Sequence, residues 1–131
     1  MSLVSVKHEG GCVFSVEARG YRMVADTPPG WPECSNKGPT PPEMLVASLA
    51  TCVGIYLARY MREAKLPYEG FTIDAAYSKA ENPDRIGSIA IDVNLPEELP
   101  EARKKALIRV AEHCTVHNTL RQPPEVSIEI K

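Results

Sequence analysis

No stretch of this chain gathers basic residues into a stripe, and it contains no CxxC pair, phosphate-binding loop, HExxH helix or Ser-His-Asp set. Each absence excludes something. With a formal net charge of −2 and a pI near 5.9, the chain offers no electrostatic footprint for nucleic acid. Without CxxC spacing, the usual zinc-ribbon and thioredoxin patterns are missing. The longest apolar stretch, Met44 to Leu57, is interrupted by Ser48 and Thr51. It falls short of the roughly 20 residues that a bilayer span needs, so no membrane partner is expected. Residues 1–10 include Lys7, His8 and Glu9 and no long apolar run, so no secretory leader is expected there and the cytoplasm is the expected location. No internal repeat or low-complexity tract is visible.

What remains is an ordinary globular composition, 44% hydrophobic and 24% charged over 131 residues. That length suits one domain spanning residues 1–131, and at this size a partner subunit could add much to the buried surface. Cysteine is the residue type to explain. Cys12, Cys34, Cys52 and Cys114 would form a disulfide framework in a short secreted chain. In a reducing compartment they are more often catalytic, metal-binding or simply buried.

The element order is readable from periodicity. Leu3 to Val6 is a short apolar strand. Phe14, Val16 and Ala18, then Tyr21, Met23 and Ala25, alternate with other residues around an Arg19-Gly20 turn, which predicts a hairpin. Asp26 to Pro42 holds six of the twelve prolines and two glycines, a loop long enough to be functional. Thr40-Pro41-Pro42-Glu43 fits a capping box with proline at the first helical position. The helix it opens runs to about Leu66 and is apolar nearly all round in its first half, which predicts burial on several sides. Phe71, Ile73, Ala75 and Tyr77, and Ile89, Ile91, Val93 and Leu95, predict two more strands joined by a turn at 81–84. Glu101 to His113 reads as an amphipathic helix, and Val126, Ile128 and Ile130 as a closing strand. The predicted order is βββ-α-ββ-α-β, an α+β fold.

Two cysteines have surroundings that fit chemistry. Cys52 lies within the apolar helix near Gly54, which permits close approach of another group; a free cysteine there also packs well as a small hydrophobe. Cys114 ends an amphipathic helix between His113 and His117, and an imidazolium nearby would lower a thiol pKa. Cys114-x-x-His117 is half of a metal site and too few ligands for a structural zinc centre, so no metal is expected. Cys34 is expected to be exposed. Glu43, nine residues before Cys52, falls on roughly the opposite side of the helix at about 100° per residue, which leaves capping as its role.

The run from Gly38 to Cys52, GPTPPEMLVASLATC, resembles the first motif of the OsmC and organic hydroperoxide resistance superfamily, G-x-x-P-x-E-L-L-x-A-x-x-x-C. Cys114 to Leu120, CTVHNTL, is similar to its second, C-P-V-S/H-x-x-L. The resemblance covers essentially the whole chain and is closest to the broad OsmC-like branch. It implies an intertwined homodimer with sites at the subunit interface. It also implies a thiol peroxidase acting on organic hydroperoxides in oxidative stress defence. Cys52 would attack the peroxide and Cys114 would resolve the sulfenic acid to a disulfide. Reduction would come from an external dithiol, with no bound cofactor. Three features depart from the pattern. Pro42 stands where the characterised hydroperoxide reductases of the superfamily have a glutamate, one residue further from the cysteine than Glu43. The family's arginine position aligns with Cys12 in one branch and near Pro32 in the other. Thr115 replaces the proline after the second cysteine. Arg19 or Arg22 would have to substitute from another direction. The same resemblance accommodates a non-enzymatic dimer that binds a small apolar or thiol-reactive ligand, and Cys114 with His113 and His117 offers a less favoured alternative, a thiol redox sensor or metal-binding protein.

Overall fold

The computed structural model describes residues 3–30 and 33–131. Two compact units make up the chain, Met1–Leu45 and Val46–Lys131.

The first unit is a three-stranded antiparallel sheet, with β1 (Ser5–Gly10), β2 (Val13–Ala18) and β3 (Tyr21–Ala25) in that spatial order. The predicted hairpin forms where Ala18 pairs with Tyr21. Arg19 and Gly20 both take positive φ, 52° and 85°, the conformation that a two-residue turn needs to match the strands' twist. Val6 opposite Val16 and Val16 opposite Met23 put the apolar residues on one face. That face is only partly covered in the single chain: Val16 is buried, while Val6 and Tyr21 remain 60% and 66% exposed.

The proline-rich segment after β3 is ordered by one side chain that the sequence did not single out. Asp26 is buried, and its carboxylate accepts the Thr27 N–H (2.6 Å), the Ser35 hydroxyl (3.0 Å) and the Lys37 N–H (2.9 Å). The Lys37 N–H above all, then those of Thr27 and Ser35 together with the Ser35 hydroxyl, hold its pKa below the usual carboxylate value against the opposing effect of burial. Cys12 and Cys34 are joined as a disulfide, with Cα atoms 4.9 Å apart. This corrects the expectation of an exposed Cys34, which is buried and bonded to Cys12 in the turn after β1.

Helix α1 (Pro41–Glu63) starts as its capping box predicts. The Thr40 N–H donates to Glu43 Oε1 (2.8 Å), and the Glu43 N–H donates to Thr40 Oγ1 (3.3 Å). At 23 residues it is long and apolar enough to cross a bilayer by length and composition, longer than its apolar stretch alone implied. Its buried stripe, Val46, Leu49, Val53, Leu57 and Met61, follows the spacing of a helix packed on one side. Leu57 is 2% exposed, and burying such a side chain contributes about 1.5–3 kcal/mol. Burial on several sides is not what the single chain shows. Leu45 and Ile55 are 41% and 54% exposed.

In the second unit β4 (Thr72–Ala80) and β5 (Arg85–Asn94) pair antiparallel. Ile73 opposite Val93, Ala75 opposite Ile91 and Tyr77 opposite Ile89 form their apolar face. Ile73, Ile89, Ile91 and Val93 from that face pack on the cluster that includes Leu49, Val53, Leu57, Met61 and Leu107. Gly54 has its reason here: a Cβ at that position would lie 3.2 Å from Ile73 Cδ1, so the glycine seats the strand on the helix. Helix α2 (Glu101–Ala111) ends two residues earlier than expected, and a short helix α3 (Thr115–Arg121) follows.

The closing strand is a correction. Residues 122–131 form no helix or strand, and Val126, Ile128 and Ile130 are 78%, 87% and 94% exposed. Their alternation is right for a strand, but a strand needs an edge to satisfy its ladder hydrogen bonds, and among the described residues this tail pairs with none. The α+β order in the chain is therefore βββ-α-ββ-α-α.

Candidate active site

Cys52 and Cys114, 62 positions apart in the sequence, come together in the second unit as free thiols. Cys52 projects from α1 beside the buried stripe and is half-buried; Cys114 is fully buried. Cys114 is held by its own role in the backbone. It is the N-cap of α3, in extended conformation (φ −70°, ψ 153°), and its Sγ accepts the His117 N–H at 3.3 Å. Burial pushes the Cys114 thiol pKa up, the His117 N–H opposes that shift, and the hydrogen bond and charge of Cys52 push it further up. Burial and the neighbouring Cys52 thus favour the neutral thiol of Cys114.

A hydroxyl pair lies alongside. Tyr56, one turn after Cys52, and Thr115, next to Cys114, place Oη and Oγ1 2.9 Å apart. Neither residue stood out in the sequence as a site residue. The signal that would have found Tyr56 is its four-residue spacing from Cys52, which puts both on one helix face.

The histidines do less than their positions in the sequence imply. His113 Nδ1 lies 2.6 Å from the Arg109 carbonyl oxygen and His117 Nδ1 lies 2.7 Å from that of Glu112. It is the His117 main chain that meets Cys114. Among the described residues Cys114, His113 and His117 do not converge as a metal-binding group. Glu43 is taken up by the capping box. Arg19 lies over the Tyr21 ring at 5.3 Å, and Arg22 is 3.8 Å from Glu9. Of the two positions that align with the family arginine, Cys12 is in the disulfide and Pro32 lies outside the described residues.

A cleft of about 830 Å³ opens in the same unit, between β5 and the helices. Leu49, Val53, Ile89 and Ile91 line its apolar part, and Lys104 and His117 are among its polar groups.

The OsmC-like protein family matches this sequence over residues 34–129. No curated protein matches it. Among solved structures, the chain is similar to a candidate osmotic-stress-induced and detoxification response protein from Psychrobacter arcticus. That match has a TM-score of 0.84 and 21% identity, over 91% of this chain and 88% of the other. It is similar to the organic hydroperoxide resistance protein OsmC of Legionella pneumophila (TM-score 0.70, 17% identity, 92% and 89% covered). It is also similar to the organic hydroperoxide resistance protein OhrB of Bacillus subtilis (TM-score 0.63, 20% identity, 100% and 98% covered). At these identities the structural matches establish the fold.

Proposed function

This chain belongs to the OsmC-like family, and from that premise we propose that it is a thiol peroxidase that reduces organic hydroperoxides in stress defence, with Cys52 attacking and Cys114 resolving. The observation that carries this reading is the meeting of the two free thiols, one half-buried and one wholly buried. The half-buried thiol is the one a substrate can reach. As a thiolate, Cys52 attacks the distal peroxide oxygen and breaks the O–O bond; the alkoxide takes a proton and leaves as alcohol, and Cys52 becomes a sulfenic acid. Cys114 then attacks the Cys52 sulfur, and water leaves as the disulfide forms. An external dithiol returns two electrons and two protons, itself closing to a disulfide.

The working form we propose is a homodimer. The exposed apolar face of the first unit, with Val6, Tyr21 and Met23, and the exposed Ile55 on α1 are surfaces that a second copy would cover. A cytoplasmic location fits the need of this cycle for a dithiol supply.

A second reading, a ligand-binding dimer without catalysis, is favoured by one observation. The acid on the first turn of α1 is committed to capping, and proline stands at the position of the family's glutamate. One assay separates the two. The reduced protein is mixed with cumene hydroperoxide and dihydrolipoamide, and peroxide loss is followed beside Cys52→Ser and Cys114→Ser. Peroxidase action requires turnover that Cys52→Ser abolishes. Equal slow loss in wild type and Cys52→Ser leaves the binding role.

A further inference from the structure

The first unit holds a second set of sulfurs, remote in sequence from those that would carry the peroxidase cycle. Cys12 lies in the turn after β1, Cys34 in the segment after β3, and their sulfurs share a disulfide. Beside them is the carboxylate of Asp26, and the three ligand atoms lie within 4.8 Å of one another. A disulfide has no proton to donate to a carboxylate and no charge to balance it. Yet Asp26 is 1% exposed, and its oxygens are fixed by donors from Thr27, Ser35 and Lys37. A buried, ionised, immobilised carboxylate beside two sulfurs is the donor set of a borderline-soft cation. It does not suit magnesium or calcium, which take oxygen ligands.

The surrounding backbone is fixed by contacts other than the S–S bond. A Cβ at Gly11 would collide with the Glu33 carbonyl oxygen, so the turn and the loop touch directly at the residues that precede the two cysteines. The Asn36 N–H donates to the Thr27 carbonyl (3.1 Å) and the Asp26 N–H to that of Pro39 (3.2 Å). Opening the disulfide would therefore leave both thiols in place. Two thiolates on one tetrahedral zinc stand about 3.8 Å apart, a separation that side-chain rotation provides between Cα atoms 4.9 Å apart.

We propose that Cys12, Cys34 and Asp26 form a zinc site that exists only when the Cys12–Cys34 disulfide is reduced. A dithiol reduces the bond, giving two thiols and its own cyclic disulfide. Zn²⁺ then displaces the two thiol protons to solvent and binds two thiolates and the Asp26 carboxylate, leaving a fourth position for water. A hydroperoxide reverses the state. The two thiolates give up two electrons and close to the disulfide, the peroxide takes two electrons and two protons to become alcohol and water, and Zn²⁺ is released. None of these steps uses Cys52 or Cys114.

The test uses the full chain carrying Cys52→Ser and Cys114→Ser, so that the other thiols cannot bind metal. The protein is reduced with a phosphine under anaerobic conditions, and Zn²⁺ is titrated in competition with a chromogenic chelator. The reduced form is expected to bind one Zn²⁺ per chain and the oxidised form none, and cumene hydroperoxide should release the metal as two thiols disappear. Co²⁺ in place of Zn²⁺ should show thiolate-to-cobalt charge transfer that Cys12→Ser or Cys34→Ser removes. Asp26→Asn should weaken binding at least as much as the roughly 10–100-fold that loss of an outer-shell partner costs. Cys12→Ser keeps the hydrogen bonds of Asp26, and a circular dichroism spectrum like that of the parent shows that it is folded. Three results would overturn the site: a disulfide that the phosphine cannot open in the folded protein, two free thiols that leave all zinc with the chelator, or unchanged affinity in folded Cys12→Ser.

Discussion

Tyr56 Oη and Thr115 Oγ1 meet at 2.9 Å, although 59 positions separate them in sequence. The bond ties the face of α1 that carries Cys52 to the residue next to Cys114. A direct hydrogen bond of this kind contributes about 1 kcal/mol to stability. Tyr56→Phe keeps the ring and removes only the tie. It is expected to lower unfolding stability by about that amount and to slow closure of the Cys52–Cys114 disulfide after a single addition of peroxide. Urea denaturation reads the first effect, and mass spectrometry of alkylated time points reads the second. Faster or unchanged closure would show that the hydroxyl pair does not position the thiols.

Burial and the neighbouring Cys52 raise the Cys114 pKa in the folded chain above its value in the unfolded one. As pH rises through the ordinary thiol range, the unfolded chain loses this proton first. It then binds fewer protons than the native state, and stability falls with pH. The contribution is whole below the unfolded pKa and lost as pH passes the folded one. Reduced wild type is therefore expected to lose stability between about pH 8 and pH 10 more steeply than Cys114→Ala, as read from urea midpoints. Parallel slopes would mean that the thiol ionises equally in both states.

Much of this was legible in the sequence. The Thr40–Glu43 box fixed where α1 starts, and two-residue periodicity gave β2 to β5, because those signals depend on neighbours in sequence. The pairing of Cys52 with Cys114 was reachable only through the resemblance, since no local pattern states which distant residues meet. Asp26 was missed for a related reason. An aspartate before a Thr-Pro step reads as a turn former, and its bonds to Ser35 and Lys37, nine and eleven residues on, have no local signature. The tail with Val126, Ile128 and Ile130 failed differently: its period is that of a strand, but strand formation depends on an edge that the pattern does not supply.

Asp26 gives a stability prediction of opposite sign in pH. Its folded pKa lies below the usual carboxylate value, through the N–H of Lys37 first and despite burial. The stabilisation is present above the unfolded pKa, near 3.9, and is lost as pH falls through the folded one, where the native carboxylate finally takes its proton. Asp26→Asn keeps the shape and removes the charge. It is expected to be less stable than wild type at pH 7, with the gap narrowing below about pH 4. Midpoints of urea denaturation across this range check it. A constant gap would assign the effect to amide geometry rather than to ionisation.

Glu43 is the acid nearest in sequence to the family's glutamate position, and two roles can be told apart by substitution. If it caps α1, the Glu43 carboxylate need only accept the Thr40 N–H, which a glutamine amide oxygen also does. Glu43→Gln is then expected to leave stability within about 0.5 kcal/mol of wild type and peroxide turnover unchanged. Thr40→Ala removes the reciprocal bond to the Glu43 N–H and should cost about 1 kcal/mol, again without a change in turnover per folded molecule. An acid acting in the chemistry gives the reverse pattern. Turnover would drop in Glu43→Gln by the hundredfold or more typical of a lost general acid or base, with stability intact. Measuring both quantities on both variants decides between them, because the cap links Thr40 to Glu43 and catalysis would involve Glu43 alone.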